Sequence, residues 1–305
     1  MVRIFGFLVG VGFVAVAAWS LLWGAIAFLG EEHVTTVEHR FHKEPRSLAL
    51  ASDGPFGKYD DRQLQRGFQV YKEVCSSCHS LGYVAFRNLE DLGYEEAEVK
   101  AIADQWTTQV PSVDPKTGEA ATRKAIPADK FPSPYPNEVA ARAGNNNALP
   151  PDLSLITKAR EGGAAYVYSL LTGYQNPPAS LPAESRPGKG LHFNPYFANL
   201  NIAMPPPLTA DGQVSYADGT AATRDQMAKD VAAFLTWTAE PRLENRHGAG
   251  LAVLVFLIIA TVLAYMAYQN IWHGSPRRVR ETGPLDPGNM AKRDAASREA
   301  GIEGN

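Results

Sequence analysis

Two long apolar segments without a single charged residue stand out along the chain, at residues 4–29 and 250–268. At about 1.5 Å per residue, a helix over residues 250–268 is about 28 Å long, close to the thickness of a bilayer's hydrocarbon core. A buried core helix is the alternative, but so long an apolar run is unusual in a soluble domain. We therefore predict a transmembrane helix near the C-terminus.

The segment at residues 4–29 fits two roles. Arg3 precedes it and Ala25-Ile26-Ala27 is a possible cleavage site, as in an export signal, although the apolar run is longer than usual. The alternative is a retained second anchor. Either role exports the residues that follow, and Arg277, Arg278 and Arg280 favour the cytoplasmic side for the tail.

A helix is predicted to begin at Asp60 or Asp61, since either side chain can cap its N-terminus. Four residues then recur at the spacing of a single helical face, and they are Leu64, Phe68, Tyr71 and Cys75. We expect this face to pack in a core.

Two further helices are predicted over residues 154–171 and 225–239. Gly162-Gly163 is a weak point in the first, and Glu240-Pro241 ends the second. The residues expected to face inward from the second helix are Met227, Val231, Phe234, Leu235 and Thr238.

Irregular structure is predicted for residues 31–59, 111–151 and 174–208, and a polar tail for residues 274–305. Most of the 22 prolines lie between residues 111 and 207, where they interrupt regular elements. The net charge of −3 gives no basis for binding nucleic acid, so no such partner is predicted.

Five acidic residues lie close together between positions 90 and 98, and they are Glu90, Asp91, Glu95, Glu96 and Glu98. Carboxylates are favourable at a solvated helix N-terminus. The alternative is a docking patch that attracts a basic partner.

The only two cysteines lie in Cys75-Ser76-Ser77-Cys78-His79, the attachment motif of a c-type haem. Each thiol can add to one vinyl group, and the adjacent imidazole can bind the iron. A redox dithiol would be expected in a βαβ context, and a zinc site would need two further ligands. The motif therefore predicts a covalent haem, with electron transfer or iron chemistry as its function.

The sequence offers more than one candidate for the second ligand of the iron, on the side opposite His79. Met204 lies in an apolar loop that three prolines stiffen, whereas Met227 is expected in a helix core. His192 is the serious rival, and Met204 as a filler of a core gap is the structural alternative. A methionine–histidine pair raises the haem potential and leaves no open position for oxygen or peroxide.

With these features in order, the chain closely resembles the cytochrome c1 family, the haem subunits of cytochrome bc1 complexes, over about residues 54–273. The matching stretches are residues 66–71, 149–154, 170–174, 193–197, the loop around Met204, and 229–241. The resemblance implies a bacterial member with a mainly α fold. It implies a class I cytochrome c-like haem domain with long loop insertions and a C-terminal transmembrane helix.

Residue roles follow from the resemblance by position. Cys75 and Cys78 would hold one haem c, with His79 and Met204 as axial ligands. Arg160 matches a family arginine beside a haem propionate, where a charge-assisted pair offsets the cost of burial. The remaining residues that would line the haem are Asn145, Pro150, Pro151, Tyr166 and Phe197.

The resemblance also implies a place in the cell and a reaction. Residues 1–30 would be an export signal or anchor, 31–248 a periplasmic haem domain, 249–272 the membrane span, and 273–305 a cytoplasmic tail. The chain would serve quinol–cytochrome c reductase, taking one electron from the Rieske iron–sulfur protein and passing it to cytochrome c. Cytochrome b would be a further partner, in a dimeric complex of the inner membrane.

Three other functions compete with this one. Another membrane-anchored c-type cytochrome could feed a terminal oxidase. A haem enzyme such as a peroxidase needs an open distal position on the iron. A haem sensor needs a signalling domain, and the polar tail of residues 274–305 is short for one.

Overall fold

The computed structural model describes residues 2–30, 36–273 and 287–299. The predictions that rest on His33, on the three tail arginines and on Met1 lie outside these ranges. The helices described are α1 (Val2–Gly30), α2 (Val37–Phe41), α3 (Asp61–Val70), α4 (Glu96–Asp104), α5 (Glu138–Gly144), α6 (Ile156–Ala159), α7 (Gly163–Thr172), α8 (Arg224–Ala239), α9 (Leu243–Trp272) and α10 (Pro287–Glu299).

Short antiparallel strand pairs account for the β-structure. They are β1 (Leu81–Ala85) with β4 (Lys130–Phe131), β2 (Val110–Val113) with β3 (Ala120–Arg123), and β5 (His192–Phe193) with β6 (Asn201–Ile202). The chain divides into one compact unit of residues 1–48 and 62–239 and another of residues 49–61 and 240–305. The predicted mainly α fold with a long apolar C-terminal helix is confirmed.

The core of the first unit is built around aromatic rings. Phe86 and Phe131 have ring centroids 4.2 Å apart, and Phe68 lies 5.7 Å from Phe234. The predicted faces of α3 and α8 supply much of this core, because Leu64, Phe68 and Tyr71 are at most 2% exposed. The predicted inward residues of α8 are all buried as well.

Helices α3 and α8 approach closely at Gly67. A Cβ atom at this position would lie 2.0 Å from the carbonyl oxygen of Asp230 and 2.6 Å from Cβ of Phe234. No side chain larger than hydrogen fits there without moving backbone. The glycine therefore sets how near the motif-bearing helix comes to α8.

A buried ion pair ties the same two helices together. Nε of Arg66 lies 2.9 Å from Oδ2 of Asp230, whose side chain is fully buried, and Nη1 lies 2.7 Å from Asp218. Gln63 and Gln226 also donate to Asp230. A buried carboxylate is tolerated because these donors satisfy its oxygens.

The single helix predicted over residues 154–171 is wrong. Two helices, α6 and α7, occupy this stretch, and the chain turns between them at Gly162 and Gly163. Their φ angles are +79° and +51°, in the left-handed region. Two such residues in succession interrupt the helical hydrogen bonds, so the predicted weak point is a complete break.

The prediction that residues 31–59, 111–151 and 174–208 lack regular elements is also wrong in part, because α2 lies in the first segment and β5 and β6 lie in the third. Strands β2 and β3 form a hairpin in the register Val110↔Arg123 to Val113↔Ala120, and α5 follows. Asp114 builds the turn: its Oδ1 accepts from the backbone N–H of Lys116, and Gly118 has φ +74°. Side chains that bond to nearby backbone favour turns in this way.

The acidic run lies beside the start of α4. Glu95 occupies the N-cap, and its backbone N–H donates to Oε2 of Glu98 at 2.8 Å. Glu96 and Glu98 belong to the first helical turn. This arrangement agrees with the role of a solvated helix start. Glu98 accepts the bond from the N-cap, and Glu96 places a second carboxylate in the first turn.

The second unit combines residues 49–61 with α9. The hydroxyl of Tyr59 donates to the carbonyl oxygen of Glu240, its backbone N–H donates to Oε1 of Glu244, and a ring nitrogen of His247 lies 3.1 Å from the carbonyl oxygen of Gly57. α9 contains the predicted span 250–268. Helix α9 and residues 4–30 are each long and apolar enough to cross a membrane. The most apolar stretch of each is not buried against the rest of the chain.

Candidate functional site

The motif residues lie on one wide turn at the end of α3. Residues Tyr71–Cys75 form a π-helical turn, in which the backbone N–H of Ser76 donates to the carbonyl oxygen of Tyr71 at 2.8 Å. The N–H groups of Cys78 and His79 then both donate to the carbonyl oxygen of Cys75. This compact turn brings two thiols and an imidazole together at a helix end.

The ring of His79 is oriented by backbone from another part of the chain. Its Nδ1 lies 2.8 Å from the carbonyl oxygen of Pro151. The hydroxyl of Tyr71 donates to the carbonyl oxygen of His79 at 2.9 Å. A carbonyl only accepts, so Nδ1 carries the proton and Nε2 keeps its lone pair. Burial lowers the pKa of His79, which favours this neutral, metal-binding form.

Asp152 supports the segment that holds His79. Its Oδ2 accepts from the hydroxyl of Ser80 and the backbone N–H of Gly82, both at 2.7 Å, and Oδ1 accepts from the N–H of Ser154. Burial opposes its ionisation, but the donors from Ser154, Gly82 and Ser80 outweigh it, so the pKa of Asp152 is lowered. Sequence reasoning missed Asp152, although it lies in the matching stretch 149–154.

The two cysteines are free thiols and half-buried. The hydroxyl of Tyr135 lies 3.8 Å from Sγ of Cys78. Burial raises the pKa of the Cys75 thiol, with the neighbouring Cys78 as a smaller cause.

Met204 lies just beyond β6 and is half-buried. Pairing of β5 with β6 fixes the start of its loop, and the hydroxyl of Tyr174 donates to the carbonyl oxygen of Met204 at 3.1 Å. His192, the rival ligand, lies in β5, with its ring edge-on to Tyr174 at 6.5 Å. Met227 is fully buried, as expected for a core residue.

A line of polar side chains leads from the break between α6 and α7 toward Met204. Arg160 is exposed just after α6, where its Nη1 donates to the carbonyl oxygen of Ala159 at 3.0 Å and its charge acts on the pKa of Tyr166, and Tyr166 lies near Tyr174. Burial is the main cause that raises the pKa of both tyrosines. The structure thus brings the predicted Arg160 and Tyr166 into the neighbourhood of the Met204 loop through Tyr174, which sequence reasoning missed.

The remaining predicted residues have local contacts. Nδ2 of Asn145 donates to the carbonyl oxygen of Ala141 and so completes the end of α5. Phe197 is half-buried and lies in the turn between β5 and β6. Pro150 is half-buried, whereas Pro151 is exposed but reaches His79 through its carbonyl oxygen.

The residues present fit a covalently held haem. Two unpaired thiols flank a turn that ends in a histidine with Nε2 available, and the half-buried Met204 lies in a separate loop. Among residues 2–30, 36–273 and 287–299, no group of three or more His, Cys, Asp or Glu side chains is arranged to hold a metal ion.

Comparison with known proteins places the chain in a family. The family model described as Cytochrome C1 family matches residues 50–275. Cytochrome c1 of Rhodospirillum rubrum is 48% identical over 231 residues, which cover 72% of this chain and 84% of that protein. Cytochrome c1, heme protein, mitochondrial, of Saccharomyces cerevisiae is 42% identical over 262 residues, or 85% and 81% of the two chains.

A longer relative matches too. The cytochrome b/c1 protein of Bradyrhizobium diazoefficiens is 42% identical over 283 residues, which are 86% of this chain but 40% of that protein. The matched region contains the motif turn, the Pro151 segment and the Met204 loop described above. The chain therefore belongs to the cytochrome c1 family.

Proposed function

We propose that this chain is the haem c subunit of quinol–cytochrome c reductase. It takes one electron from the Rieske iron–sulfur protein and passes it to cytochrome c. The observation that carries the proposal is the orientation of His79, whose Nδ1 is held by the Pro151 carbonyl at the end of a two-cysteine turn. Family membership supports it, since relatives are named heme proteins.

In this proposal Cys75 and Cys78 would hold one haem covalently, and Nε2 of His79 and the thioether of Met204 would bind its iron. The bound group supplies one reversible electron at its iron. Met204 raises the reduction potential, because thioether sulfur favours ferrous iron. With both axial positions filled by the chain, the protein transfers electrons and activates no small ligand.

The other site residues adjust charge and exclude water. Arg160 would offset the negative charge of a propionate, and the bond from its Nη1 to the carbonyl oxygen of Ala159 limits the directions it can take. Tyr166, Asn145, Pro150, Pro151 and Phe197 would line the cofactor. A positive charge beside the cofactor would favour the reduced iron over the oxidised iron, which carries one more positive charge.

The proposed setting is a bacterial inner membrane. Residues 31–248 would lie in the periplasm, 249–272 would span the membrane, 273–305 would be cytoplasmic, and 1–30 would be a signal or a second span. Cytochrome b is the expected partner, a suggestion that the name of the cytochrome b/c1 relative supports. We expect the complex to be dimeric. Anchoring replaces a search through solution with a high local concentration of the partner.

The test is purification of the intact complex through a tag on this chain. We expect cytochrome b and an iron–sulfur protein to co-purify, one haem to stay attached after denaturation, and quinol to reduce added cytochrome c. Met204→Leu should lower the midpoint potential and abolish the near-infrared thioether–iron band. Met227→Leu, the same change in a buried core methionine, is the control and should keep the band.

Two results would contradict the proposal. A chain that is colourless after denaturation would exclude covalent haem. Co-purification with terminal oxidase subunits in place of cytochrome b would favour the alternative of a membrane-anchored cytochrome that feeds an oxidase.

A further inference from the structure

The backbone of Met204 is held by a side chain from a distant part of the chain. The hydroxyl of Tyr174, 30 residues earlier, donates to the carbonyl oxygen of Met204 at 3.1 Å. The loop itself provides few bonds of this kind, since Pro205, Pro206 and Pro207 have no N–H to donate.

Tyr174 is itself rigidly placed. It follows Gly173 at the end of α7. A Cβ atom added at Gly173 would lie 2.4 Å from Cδ2 of Tyr196 and 2.6 Å from the carbonyl oxygen of Ser169, so the backbone is closely packed here. Nδ2 of Asn194 donates to the carbonyl oxygen of Leu170 at 2.7 Å, so the end of α7 is clamped to the segment after β5. The tyrosine therefore offers its hydroxyl from a fixed position.

Packing alone does not hold the loop on this side. A cleft of about 460 Å³ adjoins it, and its lining includes Tyr174, Pro206 and Leu208. A loop that borders such a space can shift into it once a restraint is removed. The hydrogen bond from Tyr174 opposes that shift.

We propose that Tyr174 is a positioning residue for Met204, and that its hydroxyl keeps the thioether of Met204 in place on the iron. The inference rests on the proposed function, because it takes Met204 as an axial ligand. A net hydrogen bond of about 1 kcal/mol corresponds to a change of about fivefold in the population of the ligand-off state.

The experiment measures carbon monoxide binding to the reduced, intact complex. Carbon monoxide must displace Met204, so its binding rate reports the ligand-off population. Tyr174→Phe keeps the ring and removes only the hydroxyl, and we expect carbon monoxide to bind about fivefold faster. The near-infrared thioether–iron band should be lost at a lower temperature than in the wild type.

Tyr168→Phe is the matched control. Tyr168 lies on α7, six residues earlier, and its hydroxyl bonds to Asp225 and not to the Met204 loop. We expect this variant to bind carbon monoxide at the wild-type rate, although it also loses a hydrogen bond. Tyr174→Leu, which removes the ring as well, is a second variant and should speed binding at least as much as Tyr174→Phe.

The outcomes separate this inference from the proposed function. If Met204→Leu loses the band but Tyr174→Phe binds carbon monoxide at the wild-type rate, the role of Tyr174 is overturned and the proposed function stands. If Met204→Leu keeps the band, the ligand assignment fails, and the role of Tyr174 fails with it. Equal acceleration in Tyr168→Phe and Tyr174→Phe would show a general loss of stability instead.

Discussion

Nδ1 of His79 lies 2.8 Å from the carbonyl oxygen of Pro151, 72 residues further along the chain. This bond fixes the ring's tautomer and direction before any metal is bound. It also makes the orientation of His79 depend on the backbone of the 150–152 segment, which Asp152 holds in place through Ser80 and Gly82.

Asp152→Asn should weaken the protein at neutral pH and change its response to acid. The carboxylate's pKa is depressed in the folded chain, so its contribution to stability is present above its ordinary pKa of 3.8 and is lost as pH falls toward the folded value. We expect the wild type to lose unfolding free energy below about pH 4 and the variant to lose less.

Denaturant unfolding from pH 7 to pH 3 would measure this difference. Asp53→Asn is a control, because Asp53 accepts from the backbone N–H of Leu50 in the second unit. If Asp152→Asn and the wild type lose stability in parallel below pH 4, the assignment of the depressed pKa is wrong.

Gly67→Ala should be among the most damaging single changes outside the motif. Its Cβ would lie 2.0 Å from the carbonyl oxygen of Asp230, so α3 and α8 would have to separate. We expect a loss of about 3 kcal/mol in unfolding free energy, at the upper end for overpacking. Gly188→Ala, where a Cβ meets nothing within 4 Å, is the control and should be nearly neutral.

Thermal unfolding of the two glycine variants, read by circular dichroism, decides the point. An unchanged melting temperature in Gly67→Ala would show that the helices do not approach as closely as described.

Asp230→Ala should cost far more than loss of an exposed ion pair. The change removes the fully buried acceptor that Arg66, Gln63 and Gln226 share, and we expect a loss of about 3–5 kcal/mol. Asp104→Ala removes the exposed pair with Lys124, whose side chains are 55% and 66% exposed, and should cost less than about 1 kcal/mol. Urea unfolding of both variants gives the comparison, and similar costs would show that burial does not strengthen the first network.

Arg160→Gln should lower the haem midpoint potential without loss of covalent attachment. Removing a positive charge near the cofactor stabilises the oxidised iron, which carries one more positive charge. Redox titration at low and high salt measures the shift, which should shrink as salt screens the exposed guanidinium. Arg224→Gln is the control, because Arg224 is also an exposed arginine and its partner is Asp211. An equal shift of the midpoint potential in both variants would contradict a specific role for Arg160.

The local features of this protein follow from its sequence. The haem-attachment motif places two cysteines and a histidine within five positions, so residues 75–79 can be recognised as this motif without a fold. The apolar run 250–268 is recognisable because a helix that crosses lipid needs a continuous apolar stretch, and α8 because its larger apolar residues recur with the helical period.

The contacts that complete the site join residues far apart in the chain, and no local pattern announces them. Tyr174 reaches Met204 only because Gly173 lets the end of α7 approach Tyr196, and Pro151 reaches His79 only because Asp152 ties its segment to β1. The break at Gly162 was visible as a weak point, yet helix propensity does not reveal that two successive residues adopt positive φ. Short-range forces act between neighbours in sequence, whereas the direction of each ligand depends on packing that forms only when the whole chain is folded.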